Sequence, residues 1–434
     1  MAESPVVNTR PRPLTTRLAP LRDFLHTEAA GGVLLLIATV AAMVWANSPW
    51  HASYDHFWHS EIALEIAGHE LRLSLQHWVN DGLMTVFFLV VGLEIKRELT
   101  SGHLAGMRAA TLPVVAAIGG MVAPAVLYLI IAGGSHAHGW GVPMATDIAL
   151  AVGVMALVGA AAPPSLRAFL LGLAVVDDIG AIVVIAVFYS SGVSFAWLAA
   201  ATAAVGLTVV LRRAGVYQTP AYVAVGVFMW FAMHEAGIHP TLAGVLMGLL
   251  APVTPRVAPE YVDTDELANV GTFESARATM VLAKSSVSTV EWLEHHLHPI
   301  TSYVVVPLFA LANAGVRVTN EAVRHALHSP IMWGIIVGLV VGKPVGVLVA
   351  TRLAIRSGRA DTPPSTDARH LLGAGHAAGI GFTVALFIAE LAFRDNGVVN
   401  ITDVTDAKVA ILAASVLSGA LAFAVLRRRV SAPN

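Results

Sequence analysis

Two adjacent carboxylates, Asp177 and Asp178, lie at the centre of LLGLAVVDDIGAIVVIAVF, an apolar segment long enough to span a bilayer. On the membrane-insertion scale, one Asp at a helix centre costs about 2.5 to 3.5 kcal/mol, and a charged neighbour adds repulsion. Burial disfavours the ionised form, so such a group can carry a proton at neutral pH, and as an anion it is a hard oxygen ligand for Na⁺ or Li⁺. The pair therefore indicates proton and alkali-ion binding, with a structural salt-bridge network as the alternative.

Helical geometry favours separate roles for the two carboxylates, because neighbouring residues on a helix point about 100° apart. Lys343 is a natural counter-charge, since it lies in mid-span in WGIIVGLVVGKPVGVLVA and needs a buried carboxylate, either Asp177 or Asp147. A glycine recurs there every four residues from Gly334 to Gly346, which favours close approach of another helix. GLVVGKP lacks the spacing and the final Ser or Thr of a P-loop, so no nucleotide site is expected.

Two segments contain signals for a broken helix. In GVPMATDIALAVGV, Pro143 disfavours a continuous helix, and Thr146 and Asp147 are typical of a helix start. The Asp147 carboxylate would then balance the positive end of a half-helix, with an ordinary cap at the membrane edge as the alternative. In HAAGIGFTVALFIAELAF, Gly379 and Gly381 favour a second break. Two interrupted spans in corresponding positions are typical of the binding site of an inverted-repeat transporter.

The composition is that of a polytopic membrane protein. The 434 residues are 56% apolar and 12% charged, whereas a soluble domain has about 25% charged residues. The chain has no cysteine, which excludes disulfides, thiolate metal sites and thiol catalysis. We expect a transporter rather than an enzyme, with no resident cofactor and no nucleic-acid partner. The apolar runs predict an all-α protein with twelve spans, at about 31–48, 79–95, 109–132, 140–159, 167–190, 194–211, 219–236, 239–252, 299–316, 330–351, 369–393 and 407–426.

The basic residues divide unequally between the two sides of the membrane. If the N-terminus is cytoplasmic, about three quarters of the Lys and Arg residues lie on the cytoplasmic side, and an even number of spans places both termini there. The sequence thus predicts a cytoplasmic segment over 1–28, a membrane transport domain over 29–427 and a cytoplasmic tail over 428–434.

Two loops are longer than most of the others. Within about 49–77, the segment SEIALEIAGHELRLSL alternates apolar and polar residues around Gly68 and His69, which predicts an external β-hairpin. An exposed edge strand can pair with the same strand of a second copy, so the hairpin suggests a homodimer. Packing of the hairpin on its own membrane domain is the alternative. The second loop, at about 253–298, is predicted to be cytoplasmic and is rich in Asp and Glu.

Titratable residues gather at two predicted cytoplasmic helix ends. For the charged residues of GLEIKREL, anchoring by positive charge is the simpler interpretation. The histidines of EWLEHHLHP titrate near neutrality in water and could report pH, although surface histidines usually have no such role. His239, in GIHPTLAG, is expected to cap the eighth span, with a role in pH sensing as the alternative.

At these residues the chain resembles the NhaA-type sodium/proton antiporters of bacterial inner membranes. The similarity runs from about Asp23 to the last span, through DGLMTVFFLVVGLEIKREL, ATDIALAVGV, LAVVDDIGAIVVIAVFYS, HPTLAG, LHP, PLFALANAGV, VGKPVG and GIGFT. The resemblance implies twelve spans with helices four and eleven unwound and crossing, a dimer formed through the hairpin, and electrogenic exchange of more than one proton for each Na⁺ or Li⁺.

The resemblance also implies roles for individual residues. Asp178 is the main ion- and proton-binding carboxylate, and Asp177 pairs with Lys343 until the ion or proton state changes. Thr146 and Asp147 flank the crossing; Thr146 joins the two aspartates at the Na⁺ site, and Asp147 and Lys343 compensate the charge of the helix breaks. The positions associated with pH activation are Glu94, Arg97, Glu98, Glu294, His295 and His298.

The sequence departs from the family pattern in two places. Glu291 and Trp292 occupy positions where basic residues are expected, and Glu390 adds a carboxylate where a small or neutral residue is expected. An organic-anion/sodium symporter on a related fold is an alternative, although it would need a wider cavity and would lack the Asp pair. An intramembrane aspartyl protease is a weaker one, because its GxGD motif is absent and its two aspartates come from separate helices.

Overall fold

A computed structural model describes residues 29–66, 69–102, 104–190, 192–216, 218–255, 286–395 and 398–427. In these ranges most of the chain is α-helical, and two antiparallel sheets of two strands each lie in loops. The predicted terminal segments, 1–28 and 428–434, and most of the predicted acidic loop lie outside the described residues.

The first part of the described chain, up to residue 255, contains nine helices and a hairpin. A π-helical turn, Trp78–Leu83, lies within the third helix, and a 3₁₀-helix, Gly134–Met144, precedes the fifth. In order, the elements are α1 (Ala29–Ala46), α2 (His51–His59), β1 (Glu61–Ile66), β2 (His69–Ser74), α3 (Leu75–Thr100), α4 (Met107–Ala132), α5 (Ile148–Val158), α6 (Pro164–Phe188), α7 (Phe195–Arg213), α8 (Thr219–Glu235) and α9 (Leu242–Leu250).

The second part, from residue 286, contains seven helices and two short strands. A π-helical turn, Thr301–Val305, joins the first two helices. In order, the elements are α10 (Thr289–Ile300), α11 (Val306–Asn313), α12 (Asn320–His328), α13 (Pro330–Arg356), α14 (Ala368–Ala378), α15 (Phe382–Ala392), β3 (Arg394–Asp395), β4 (Val398–Val399) and α16 (Ile401–Arg427).

Six of these helices are long and apolar enough to cross a membrane, namely α3, α4, α6, α7, α13 and α16. Three further helix pairs joined by sharp bends raise the number of candidate spans to nine. A helix satisfies its own backbone N–H and C=O groups, as the bilayer core requires. Helices α8 and α9 have 17 and 9 residues, less than the roughly 20 that a full crossing needs. Helices α10 and α11 run on through the π-helical turn without interruption, but they are not among the candidate spans. The chain is thus a mostly helical, multi-span membrane protein with six to nine candidate spans, where the sequence predicts twelve.

The predicted hairpin is present as β1 and β2, which pair antiparallel from Glu61 opposite Ser74 to Ile66 opposite His69. Ser74 then caps the start of α3, because its hydroxyl accepts a hydrogen bond from the backbone N–H of His77. The hairpin is therefore continuous with the first turn of a membrane helix. We call the ends of the helices near it the hairpin side.

The two predicted helix breaks are confirmed. The 3₁₀-helix Gly134–Met144 and α5 meet at an angle of 51°, and α14 and α15 meet at 49°. At the first break Asp147 has extended backbone angles (φ −93°, ψ 102°) and is the N-cap of α5. The second break lies at Gly379–Gly381, where the sequence places two glycines.

The predicted close approach along the glycine ridge of α13 is also confirmed. An added Cβ atom would lie 2.8 Å from Tyr128 at Gly334 and 2.8 Å from Pro124 at Gly342, and at Gly346 it would overlap the backbone oxygen of Gly119. All three neighbours belong to α4. Small residues thus hold α13, which carries Lys343, directly against α4.

We expect Gly346→Ala to destabilise the protein by about 1 to 3 kcal/mol, because the new methyl group meets backbone atoms rather than a side chain that can move. Thermal unfolding of the purified protein in detergent measures the effect. Gly206→Ala in α7 is the control, since its Cβ would have no atom within 4 Å. Equal melting temperatures for the two variants would contradict the close-packing argument.

Candidate functional site

The two helix breaks contact each other in the interior. The backbone N–H of Asp147 donates to the carbonyl of Ile380 at 2.6 Å, and the hydroxyl oxygen of Thr146 lies 2.9 Å from the carbonyl oxygen of Ala378. A break leaves backbone groups without their helical partners, and in a dry interior these groups need others. Each break therefore supplies hydrogen-bond partners to the other.

Asp147 caps two helices at once. Its Oδ1 accepts from the backbone N–H of Leu150 at 3.1 Å, in the first turn of α5. Its Oδ2 accepts from the backbone N–H and the hydroxyl of Thr383, at 3.1 and 2.7 Å, in the first turn of α15. Since helix N-termini carry partial positive charge, one buried carboxylate balances two of them.

Lys343 provides the opposite charge. Its ammonium group donates to the carbonyl of Met144, at the end of the 3₁₀-helix before the first break, and lies 2.7 Å from Oδ2 of Asp177. Its side chain is completely buried. The ammonium thus faces both the negative end of a helix and an acidic side chain, which are the partners that a buried cation needs. Of the two carboxylates that the sequence offers it, the ion pair is formed with Asp177.

Asp177 also contacts Thr146, whose hydroxyl oxygen lies 2.6 Å from the same Oδ2 atom. A hydroxyl has one proton, so Thr146 donates either to Asp177 or to the Ala378 carbonyl at any moment. The other oxygen, Oδ1, is buried and has no hydrogen-bond partner among the described residues. Half of the Asp177 carboxylate is therefore available to a further ligand.

Asp178 is placed differently from its neighbour. It is 5% exposed, and no described residue hydrogen-bonds to its carboxylate. The charges that act on it most strongly are those of Glu94, Asp177 and Lys343. Among the three central aspartates, Asp147 is fully hydrogen-bonded, Asp177 is half engaged, and Asp178 has both oxygens open.

The charges in this cluster do not balance without a ligand. Three buried carboxylates, Asp147, Asp177 and Asp178, face one buried ammonium, Lys343, which leaves two negative charges in excess when all four are ionised. Uncompensated charge is expensive in a low-dielectric interior. Protons or small hard cations remove the excess, and carboxylate and hydroxyl oxygens suit both.

A second charged cluster joins the end of α3 to α10, on the side opposite the hairpin. Arg97 forms an ion pair with Glu294 and lies 3.4 Å from Glu98, and Glu94 lies one turn earlier on α3. Glu294 lies outside the candidate spans, and burial raises the pKa of its carboxyl group while the Arg97 charge opposes the rise. Four of the six residues assigned to pH activation are thus close together, whereas His295 and His298 are exposed on α10.

His239 was expected to cap the eighth span, and this expectation is wrong. Helix α9 has Thr241 as its N-cap, and only the backbone carbonyl of His239 accepts from the first turn. The imidazole instead lies against Phe387 and 3.9 Å from Asp81. The ring packs against the apolar side chain of Phe387 and does not lie at a solvated helix end, where the sequence suggested it.

Sequence reasoning missed the partner of Glu390. This carboxylate lies 2.6 Å from the ammonium of Lys408, across the loop that joins α15 to α16. Lys408, which the sequence places at the start of the last predicted span, lies in the second turn of α16. The opposite charges of the two residues were the only signal in the sequence.

A cavity of about 700 Å³ lies apart from the central aspartates, near the start of α16. His325 and His328 of α12 and Asp403 and Asp406 of α16 contribute to its wall. His325 lies 3.1 Å from Asp406. The cavity contains none of the residues that the sequence analysis selected.

Comparison with known families matches residues 22–426 to the model described as Na⁺/H⁺ antiporter 1. The chain belongs to this family. Among curated relatives, it is 44% identical to the Na⁺/H⁺ antiporter NhaA 3 of Frankia alni, over 97% of this chain and 92% of the relative. It is 44% identical to the NhaA antiporter of Rhodopirellula baltica (94% and 93%) and 41% identical to that of Oleidesulfovibrio alaskensis (98% of each). The resemblance seen in the sequence is confirmed over nearly the whole chain.

In this Na⁺/H⁺ antiporter 1 family member, we expect Lys343→Ala to lower the free energy of unfolding by about 3 to 5 kcal/mol, because Asp177 and the Met144 carbonyl then lose their buried cation. Thermal unfolding in detergent measures it, with Arg356→Ala, exposed on the same helix, as control. Adding Asp177→Asn to Lys343→Ala should cost less than the sum of the two single effects. Strict additivity would contradict the ion pair.

Proposed function

We propose that this chain is a secondary-active Na⁺/H⁺ antiporter, in which Na⁺ or Li⁺ and protons compete for the same buried carboxylates. The observation that carries the proposal is the cluster of Asp177, Asp178, Asp147 and Lys343 at two contacting helix breaks in a member of this family. Sodium and protons are its substrates, so no resident cofactor and no enzymatic reaction are invoked.

The three aspartates have different roles, which follow from how many hydrogen bonds and ion pairs each carboxylate already makes. Asp147 accepts three hydrogen bonds and holds the two breaks together. Asp178, with both oxygens open, binds the ion or proton first, and Oδ1 of Asp177 and the Thr146 hydroxyl complete the alkali-ion site. Lys343 neutralises Asp177 whenever neither substrate does.

Exchange is electrogenic in this proposal. Asp177 and Asp178 can each take up a proton, while a single Na⁺ bound between them is shared by both. More than one proton then enters for each Na⁺ that leaves, so net charge crosses the membrane in every cycle. The excess of negative charge in the cluster supports this, because one monovalent cation does not neutralise it.

The finer architecture is also part of the proposal. The chain has twelve spans in an inverted repeat, with the two broken helices crossing in mid-membrane, both termini cytoplasmic and the hairpin external. The hydrogen bonds between the breaks support a crossing, and the distribution of Lys and Arg supports the orientation. In a bacterial inner membrane, this topology exchanges cytoplasmic Na⁺ for external protons.

The protein forms a homodimer through its hairpins. A two-stranded sheet is marginal on its own in water, and an edge strand has unpaired backbone groups that the same strand of a second copy can satisfy across a two-fold axis.

Activity is switched on by rising pH at the cluster of Arg97 and Glu294. Burial raises the pKa of Glu294. Its carboxyl group is therefore neutral at low pH and becomes charged as the pH rises through this raised pKa. The charged form strengthens the ion pair that ties α10 to the end of α3. Glu94 lies on the same helix and acts on Asp178 through its charge, which connects this cluster to the substrate site.

We expect Asp178→Asn to abolish exchange. In everted vesicles with an imposed proton gradient, Na⁺ added to the wild type should dequench a pH-sensitive dye, and Na⁺ added to the variant should not. Asn cannot be ionised, so it neither carries a proton nor balances Na⁺. Asp367→Asn, on the exposed N-cap of α14, is the matched control and should behave as wild type. Wild-type-like dequenching by Asp178→Asn would refute the mechanism.

We expect Arg97→Gln to move the pH of half-maximal exchange to a more alkaline value. Without the arginine charge, the pKa of Glu294 rises further, and more alkaline conditions are needed to ionise it. The dye assay repeated across a pH series measures the shift. Lys96→Gln removes the same charge one residue away and should leave the profile in place; equal shifts in both variants would indicate a general surface-charge effect instead.

A further inference from the structure

A buried ion pair links α15 to α16 on the hairpin side of the protein. Oε1 of Glu390 lies 2.6 Å from Nζ of Lys408, and the two side chains are 11% and 12% exposed. Like Asp177 and Lys343, these two residues form a lysine–carboxylate pair largely out of contact with solvent. Burial of both charges makes the pair costly to break from either side.

The pair lies on the same helix as an anchor of the substrate site. α15 begins directly after the second break, and its first turn carries Thr383, which donates twice to Asp147. Glu390 follows Thr383 by seven residues, so the two lie on one face of the helix, about 10 Å apart along its axis. The other residues between Phe382 and Glu390 are apolar and buried. Thr383 and Glu390 therefore provide the hydrogen bonds and the ion pair of an otherwise apolar part of α15.

Three basic side chains influence Glu390. Lys408 contacts it directly, and Arg394 and His77 act on it through smaller electrostatic effects. Arg394 also lies 3.0 Å from Nε2 of His77, whose Nδ1 is 2.9 Å from the hydroxyl of Ser74 at the end of β2. The hairpin-side end of α15 is thus connected to α16 through Glu390 and Lys408, and Arg394, just after α15, contacts the base of the hairpin through His77.

We propose that Glu390 and Lys408 are positioning residues for ion exchange. Their ion pair fixes α15 against α16 and so sets the height and rotation at which Thr383 meets Asp147. Because Asp147 and Thr146 bond to both breaks, a displacement of α15 moves the Thr146 hydroxyl relative to Asp177. A binding site loses function when its ligands move by about half an ångström, so this contact acts on substrate affinity from a distance. The inference rests on the proposed exchange at the central aspartates.

The test measures apparent KM for Na⁺, maximal rate per amount of folded protein and the pH profile in proteoliposomes. Glu390→Gln and Lys408→Met should each raise KM by about fivefold or more and shift the pH profile. Lys408→Arg keeps the ion pair and should retain the wild-type KM. A merely structural role would lower the yield of folded protein and leave KM and the pH profile unchanged.

The double variant Glu390→Gln/Lys408→Met keeps the test decisive if the single variants do not fold, because it leaves no unpaired buried charge. We expect it to fold with a raised KM; a folded double variant with the wild-type KM and pH profile would overturn the proposal. Glu61→Gln, which breaks an exposed ion pair in the hairpin, should change neither quantity, and a matching rise in KM there would also overturn it. A wild-type protein that exchanges no Na⁺ for protons would instead refute the proposed function.

Discussion

The need to neutralise buried charge without water governs this structure. Breaking two helices inside an apolar protein exposes partial charges at their ends, positive at α5 and α15 and negative at Met144. Asp147 and Lys343 face these ends with the opposite charge. The interruptions and the charged residues therefore require each other, since either one alone would leave an uncompensated group in the interior.

The same requirement distinguishes the three aspartates. The carboxylate oxygens of Asp147 already accept hydrogen bonds from two helices. If Asp147 bound a transported ion, these hydrogen bonds would have to break. Asp178 accepts no hydrogen bond from a described residue, and Asp177 has one carboxylate oxygen without a hydrogen-bond partner among them. In the proposed mechanism, substrate exchange at Asp178 can therefore proceed while the helix breaks stay joined, and binding at Asp177 is the step that disturbs its ion pair with Lys343. Coupling between ion binding and helix movement is expected at this second carboxylate.

Much of this arrangement could be predicted from the sequence because its signals are local. Two Asp residues in an apolar run, a proline before Thr146, and glycines at 379 and 381 identify the two helix breaks and the buried charges. The predicted number of spans is not confirmed, since the described residues contain six to nine candidates rather than twelve. What could not be predicted depends on contacts between distant residues. Asp147 caps a second helix through Thr383, which is 236 residues away in the chain. Whether Lys343 pairs with Asp177 or Asp147 depends on the relative positions of two helices along their axes, which the sequence does not give. His239 was misassigned because an apolar neighbour, Phe387, is 148 positions away in the chain.

The ion pair with Lys408 explains how the structure accommodates Glu390, the carboxylate that departs from the family pattern. A carboxylate at this depth is tolerated only with a cation beside it, and Lys408 reaches it because a short sheet, β3 and β4, turns the chain back towards α15. α15 is then held by polar contacts at both ends, at Asp147 and at Lys408, and by apolar packing between them. Apolar packing resists separation but allows sliding, whereas the polar contacts fix position along the axis. In the proposed mechanism, the alignment of the substrate site therefore depends on the polar contacts at both ends of α15, so a change in charge at Glu390 or Lys408 is expected to alter the contact between Thr383 and Asp147.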